Sequence, residues 1–287
     1  MKQLTVISGK GGTGKTSITA AFASLAKNTV FADCDVDATD LHLIFNPEIK
    51  KTLGFHGLKI PTIDKKICID CKKCYENCRF NAINEEIIVI KNSCEGCGVC
   101  EYICPVDAIQ MIDRNSGFSY ISETRFGPLA HAMLKTAEEA SGKLVSVVRN
   151  NAITLAEDKK KDLIIIDGPP GIGCPVISSI SGVDLVLVVT EPTLSAIHDL
   201  ERILAVTNHF EVPAVVCINK FDINLNNTNK IEHFCSNNKI DVVGRLPYNS
   251  IVTEAMVNDK TIIEYDNNIF SPLINDMWKK IYRRLFE

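Results

Sequence analysis

Residues 4–16 read Leu4-Thr5-Val6-Ile7-Ser8-Gly9-Lys10-Gly11-Gly12-Thr13-Gly14-Lys15-Thr16. The apolar run predicts a short buried strand, and the alanine-rich stretch over 16–27 predicts the helix that follows it. Between them lies a glycine loop. Glycines let backbone wrap closely around phosphate and aim its N–H groups at the oxygens. A helix opening near Gly14 adds its positive N-terminal end. The nucleotide contacts expected of such a loop are Gly11, Gly12, Thr13, Gly14, Lys15, Thr16 and Ser17. Lys15 reaches the β- and γ-phosphates and the Thr16 hydroxyl ligates Mg²⁺.

Further along, strand and helix patterns alternate. Stretches 29–32, 162–167, 185–190 and 214–219 read as short strands apolar on both faces, with a helix over 195–208. The asparagine-rich stretch 224–238 reads as a loop running into a polar helix. Alternation of this kind predicts an α/β fold with a mostly parallel sheet covered by helices on both faces.

A second pattern interrupts the first. Cys68, Cys71, Cys74 and Cys78 are repeated, at one constant offset, as Cys94, Cys97, Cys100 and Cys104, and Ala82-Ile83 recurs as Ala108-Ile109. This duplicated C-x2-C-x2-C-x3-C spacing is that of a bacterial ferredoxin and predicts two [4Fe–4S] clusters. Three cysteines wrap one cluster and the fourth crosses to the other. Cys68, Cys71, Cys74 and Cys104 then hold one, and Cys94, Cys97, Cys100 and Cys78 the other. Arg79 stands where Pro105 stands in the second half, which leaves the backbone after Cys78 freer. Zinc needs only four ligands in paired hooks, so a third cysteine in step is superfluous. Disulfides fit poorly with a 287-residue chain that shows no secretion signal. The expected organisation is a nucleotide-binding domain over 1–62 and 114–287, with a ferredoxin-like α+β lobe inserted at 63–113.

Composition agrees with a soluble protein able to bury a core, at 46% hydrophobic and 23% charged residues. A net charge of −4 offers no basic field for nucleic acid. No apolar run approaches the length of a membrane span, and the N-terminus is no signal peptide. A cytoplasmic location is expected, without nucleic-acid or membrane partners.

Lys10, ahead of the glycine pair, marks a deviant Walker A motif and resembles the MinD/Mrp/nitrogenase-iron-protein class of P-loop ATPases. The resemblance implies a homodimer with ATP at its interface, Lys10 crossing to the partner's nucleotide. Asp33-Cys34-Asp35 looks like switch I, with Asp35 positioning the attacking water and Asp33 or Asp37 in less defined roles. Asp167-Gly168-Pro169-Pro170-Gly171 looks like Walker B running into switch II. There Asp167 holds Mg²⁺ through water and the Gly171 amide senses the γ-phosphate. Asn219 looks like the reader of the adenine edge, and Pro247 like part of the base pocket. Within the class the chain is most similar to the subgroup with an inserted ferredoxin domain.

Cys34, Cys217 and Cys235 read as buried or incidental thiols. Cys174 lies as far past Asp167 as a cluster-ligating cysteine of nitrogenase iron protein does, which makes it a candidate metal or cluster contact. The C-terminal stretch 271–287 places Leu273, Ile274, Met277, Trp278, Ile281 and Leu285 on one stripe, as a helix packed on a sheet would. A basic amphipathic helix lying on lipid shows the same pattern. The function expected is ATP hydrolysis coupled to electron transfer with an unidentified redox partner. Delivery of a cluster or metallocofactor to an apo-protein is one alternative, and a MinD-type positioning ATPase with redox-sensing clusters is the other.

Overall fold

The computed structural model describes residues 1–135, 138, 140–266 and 268–287. Its strands are β1 (Lys2–Ser8), β2 (Thr29–Asp33), β3 (Glu48–Ile63), β4 (Ile109–Thr124), β5 (Gly127–Leu134), β6 (Leu163–Pro170), β7 (Leu185–Thr190), β8 (Ala214–Asn219) and β9 (Val242–Leu246). They form one sheet in the order β3-β4-β5-β2-β6-β1-β7-β8-β9. From β5 to β9 every neighbouring pair is parallel. β3 and β4 add an antiparallel hairpin on the β5 edge.

The helices are α1 (Lys15–Leu25), α2 (Leu41–Phe45), α3 (Lys73–Glu76), α4 (Val99–Tyr102), α5 (Ser141–Asp158), α6 (Cys174–Ile180), α7 (Leu194–His209), α8 (Leu225–Asn237), α9 (Ile251–Val257), α10 (Ile262–Tyr265) and α11 (Phe270–Phe286). Central strands send alternate side chains to opposite faces, and both faces are buried. Ile164 and Ile166 enter the core beneath α5, α6, α7 and α8. Leu163 and Ile165 enter the core beneath α1, α2 and α11. This is why these strands read as unbroken apolar runs. The α/β fold and mostly parallel sheet are as expected.

Within 224–238 the expected polar helix is present as α8, and it begins directly after Asn224 where the loop was expected. The Asn224 side chain caps α8 by accepting from the Asn227 amide, and Ile231 and Cys235 reach the core. The α11 stripe also packs inward, with Ile274, Met277, Ile281 and Leu285 buried and the Trp278 ring 5.0 Å from that of Phe22. Leu273 departs from the expected stripe and is exposed. Among the described residues no helix is long and apolar enough to cross a membrane.

β3 and β4 are each 16 residues long and paired throughout, with bulges. The expected limits at 63 and 113 therefore fall within this hairpin. The cysteine segment hangs from a stiff edge of the main sheet. Beyond the strands it has a small core of its own around Cys74, Ile83, Ile87 and Ile109.

Candidate functional site

β1 lies between β6 and β7, and the chain leaves opposite sides of it to build the two halves of the sheet. Such a switch point opens a crevice beyond the strand ends, where open α/β sheets bind ligands. The glycine loop fills it. Gly14 has φ +92°, and a side chain there would meet the Asn219 amide, so this position requires glycine twice over.

A cleft of about 440 Å³ lies over the loop, within the range of nucleotide-sized pockets. Gly11, Gly12, Gly14, Lys15, Thr16 and Ser17 line its floor, Asp35 one wall, and Asn219 and Pro247 the far end. Lys220, Tyr248, Val252 and Met256 also line it; Lys220 and Tyr248 adjoin the expected Asn219 and Pro247, whereas no local sequence signal distinguished Val252 and Met256. Asp222 fixes the far wall by accepting from the Tyr248 amide at 2.7 Å. Asn219, expected to read the adenine edge, donates to Thr13 O at 2.8 Å and so braces the glycine loop in this structure.

Register brings the acidic residues together, since Asp33 on β2 lies level with Asp167 on β6. The Lys15 ammonium is 2.8 Å from Asp35 and 3.6 Å from Asp167. Burial alone would lower the Lys15 pKa, but Asp167 and Asp35 outweigh it and hold the ammonium above the ordinary lysine range. Asp33 and Asp167 are raised above the usual carboxylate range, first by burial and for Asp33 also by the Asp167 charge. One Asp33 oxygen is buried with no partner among the described residues. Thr16 Oγ1 donates to Asp167 at 2.7 Å. Three carboxylates facing one lysine leave the site short of positive charge, and an adjacent hydroxyl and carboxylate are hard oxygen donors. This donor set fits Mg²⁺ carried in with phosphate.

Thr13 and Asp167 are buried beside the cleft and do not line it, and Gly171, Cys174 and Lys10 stand outside it. The Gly171 amide donates to Ser8 O at 2.8 Å, with φ +96°. Cys174 is exposed at the start of α6, where it packs beside Gly142 of α5. Next to Gly142, Lys143 donates to Gly57 O on β3 at 3.1 Å. The N-terminal turn of α5 thus touches both α6 and the cysteine-bearing hairpin. Lys10 pairs at 2.6 Å with Glu191 of its own chain, and Lys220 takes the other Glu191 oxygen at 3.2 Å. Lys220 also donates to Gly12 O at 3.1 Å. Burial would raise the Glu191 pKa, yet the two lysines hold it below the usual range.

The eight paired cysteines divide between two cavities. Cys68, Cys71, Cys74 and Cys104 line one, and Cys78, Cys94, Cys97 and Cys100 the other. Backbone amides of Ala82 and Ala108 donate at 3.3 Å to the sulfurs of Cys78 and Cys104, equivalent positions of the repeat. Among the described residues no three His, Cys, Asp or Glu side chains converge tightly enough for a single ion. Four cysteines at each cavity match the number of thiolate ligands a [4Fe–4S] cluster takes. Cys34, Cys217 and Cys235 are buried thiols, with pKa values raised by burial.

A phosphate loop at the switch point of a mostly parallel sheet, followed by an acidic strand end at Asp167, defines a P-loop nucleotide-binding protein. The family described as CbiA, the CobQ/CobB/MinD/ParA nucleotide binding domain, matches residues 4–262, and the chain belongs to it. An uncharacterised protein of Methanocaldococcus jannaschii is 37% identical over 283 residues, covering 97% of this chain and 96% of that one. The pyruvate synthase subunit PorD of Methanothermobacter marburgensis is 43% identical over 51 residues, 18% of this chain and 63% of PorD. The septum site-determining protein MinD of Pyrococcus horikoshii, solved in complex with Mg-ADP, superposes with TM-score 0.59 at 14% identity, over 98% of this chain and 95% of that one. At that identity the likeness is one of fold.

Proposed function

We propose that this protein is an ATP-hydrolysing iron–sulfur protein that couples nucleotide state to electron transfer through two [4Fe–4S] clusters in an inserted ferredoxin-like domain. The observation that carries the reading is the division of eight cysteines into two cavities, each lined by three cysteines of one run and the last of the other. The crossed sets agree with the ligand rule for duplicated ferredoxin spacing. The likeness to a short stretch of PorD favours a redox module too. When bound, the clusters supply one-electron storage. The chain orients them with its cysteines and tunes them with the Ala82 and Ala108 amides.

In the nucleotide site, Lys15 and the loop amides bind the phosphates, Thr16 and Asp167 hold Mg²⁺, and Asp35 positions the attacking water. Phosphoryl transfer asks little beyond positioning and charge stabilisation. The active form is a homodimer in which Lys10 reaches the partner's nucleotide, and ATP-dependent closure governs docking of a redox partner. Delivery of clusters to an apo-protein is the second reading, favoured by the exposure of Cys71 and Cys97, one ligand at each site. Anaerobically prepared protein should hold about eight iron and eight sulfide per chain. Stoichiometric zinc without visible charge-transfer absorbance would defeat both readings. Clusters retained in the presence of an apo-ferredoxin acceptor favour electron transfer, and clusters surrendered to it favour delivery.

A further inference from the structure

The first cysteine loop reads Lys65-Lys66-Ile67-Cys68-Ile69-Asp70-Cys71-Lys72-Lys73-Cys74. Its counterpart in the repeat reads Lys91-Asn92-Ser93-Cys94-Glu95-Gly96-Cys97-Gly98-Val99-Cys100. The ligand spacing is identical, yet the first loop sets four lysines against Asp70, and the second sets Lys91 against Glu95. With Asp64 and Glu76 on its flanks counted, the first loop is still the more positive of the two. Holding thiolates at this spacing does not require the extra lysines, because Asn92, Gly98 and Val99 stand in their places. Lys72 even takes a left-handed turn at φ +57°, where Gly98 serves at φ +76°. Glycine is the cheaper residue there, so the lysine contributes its charge and not a backbone shape.

Lys72 and Lys73 line the cavity of Cys68, Cys71, Cys74 and Cys104, whereas the charged residue lining the other cavity is Glu95. Lys65, Lys66, Lys72 and Lys73 are all exposed. Lys65 Nζ donates at 3.0 Å to a backbone carbonyl, Glu86 O, beside cavity-lining Ile87. Among the described residues none of the four pairs with a carboxylate. Ile67 and Ile69 stand between them, 48% and 60% exposed. The second loop lies back along the hairpin: a side chain at Gly96 would come within 2.6 Å of the Lys59 carbonyl on β3. Apart from Ile109 at the start of β4, the first cavity is lined by the cysteine segment alone. It forms the outer end of the lobe.

We propose that the rim of this first cavity is the docking site of an acidic one-electron carrier protein, which exchanges electrons with the cluster held by Cys68, Cys71, Cys74 and Cys104. This rests on the iron–sulfur reading above. The carrier sets carboxylates against the four lysines and apolar surface on Ile67 and Ile69. One electron leaves the reduced carrier and reduces the cluster; no atom or proton is transferred. The net charge of −4 opposes such a partner at long range. At physiological ionic strength charges beyond about 8 Å are largely screened, so lysines at the contact outweigh the distant remainder.

Flavodoxin is the probe, an acidic one-electron carrier with a visible spectrum of its own. Its binding to the full-length protein is read by anisotropy of labelled flavodoxin, and its electron transfer by anaerobic stopped flow, after iron and sulfide have been counted. Both should weaken as salt rises. Lys72→Gly combined with Lys73→Val copies the second loop. It should retain iron, lower affinity and rate about tenfold at low salt, and flatten the salt dependence. Lys72→Arg with Lys73→Arg should keep both at the parental level, and so should Glu95→Gln at the other cavity. If the glycine–valine variant loses iron, Lys65→Gln with Lys66→Gln makes the same test outside the ligand run. A rate that rises with salt would show that only net charge is felt and would overturn the inference, as would parental binding and transfer in the lysine variants. Lysine-dependent sedimentation with phosphatidylserine vesicles, with flavodoxin transfer untouched, would assign the rim to a lipid surface and overturn it too. In each of those outcomes the clusters stand. Protein with no iron and sulfide would overturn the iron–sulfur reading, and this inference with it.

Discussion

Lys10 Nζ stands 2.6 Å from Glu191 Oε1 of the same chain. The lysine assigned to a partner's phosphates is thus parked at home, on a carboxylate that Lys220 shares. The Lys10 side chain is 36% exposed. Glu191 is 12% exposed, and a pair with its lysine end in water is worth about 1 kcal/mol. Release from Glu191 is therefore easily offset by contact with phosphate across an interface.

Replacing either member of that pair should have opposite effects. Lys10→Ala should leave ATP binding by the monomer largely intact but weaken the ATP-dependent dimer and its turnover. Glu191→Gln should free Lys10 and tighten the dimer by up to about fivefold, following the worth of an exposed pair. Sedimentation velocity with and without ATP reads both. Identical dimer constants in the two variants would count against the parked-lysine account. A mixed dimer of Lys10→Ala and Asp35→Ala subunits should recover activity at the one site that keeps Asp35 and receives an intact Lys10.

Asp35 lies 2.8 Å from Lys15 and lines the cleft. Asp35→Ala should still bind ATP yet hydrolyse it on the order of a hundredfold more slowly, by loss of the water-positioning group. Lys15→Ala should lose tight binding altogether. Equilibrium binding of a fluorescent ATP analogue and a phosphate-release assay separate the two outcomes. Parental turnover in Asp35→Ala would remove Asp35 from its assigned role.

His131 tests the fold beneath the site. It bonds Ser122 at 2.9 Å and stacks on Tyr120, with ring centroids 5.0 Å apart. Burial, assisted by His42, lowers its pKa from 6.5 to about 4. The unfolded chain takes up this proton first as pH falls, so the native state loses stability between about pH 6.5 and 4. The loss attributable to His131 approaches roughly 3 kcal/mol. Urea denaturation at pH 7 and pH 4.5 should show it, and His131→Gln should flatten the difference.

The phosphate loop and the central strands were legible because their signals are local. Glycines at fixed spacing and runs such as Leu163 to Ile166 need no distant partner to be recognised. β3 was not legible. Its first half is exposed, it carries Gly54, Gly57 and Pro61, and only its pairing with β4 makes it a strand. Low helix propensity of asparagine obscured where α8 begins; its stability comes from the Asn224 cap and from burying Ile231 and Cys235. No role was legible for Glu191 in the sequence. Its two lysines arrive from opposite ends of the chain, and no spacing rule reports that.

Nucleotide state and cluster state are proposed to be coupled. The N-terminal turn of α5 meets Cys174 at Gly142 and the cysteine-bearing hairpin at Lys143, so a shift in the loop after Asp167 would have a physical route to the proposed clusters. The most direct measurement is the reduction potential of each cluster, titrated anaerobically with no nucleotide, with Mg-ADP and with a non-hydrolysable Mg-ATP analogue. The account predicts two [4Fe–4S] signals, at least one of which moves between the ADP and ATP-analogue states, with the movement abolished in Lys15→Ala. Potentials identical in all three conditions, in protein shown to bind the nucleotides, would contradict it.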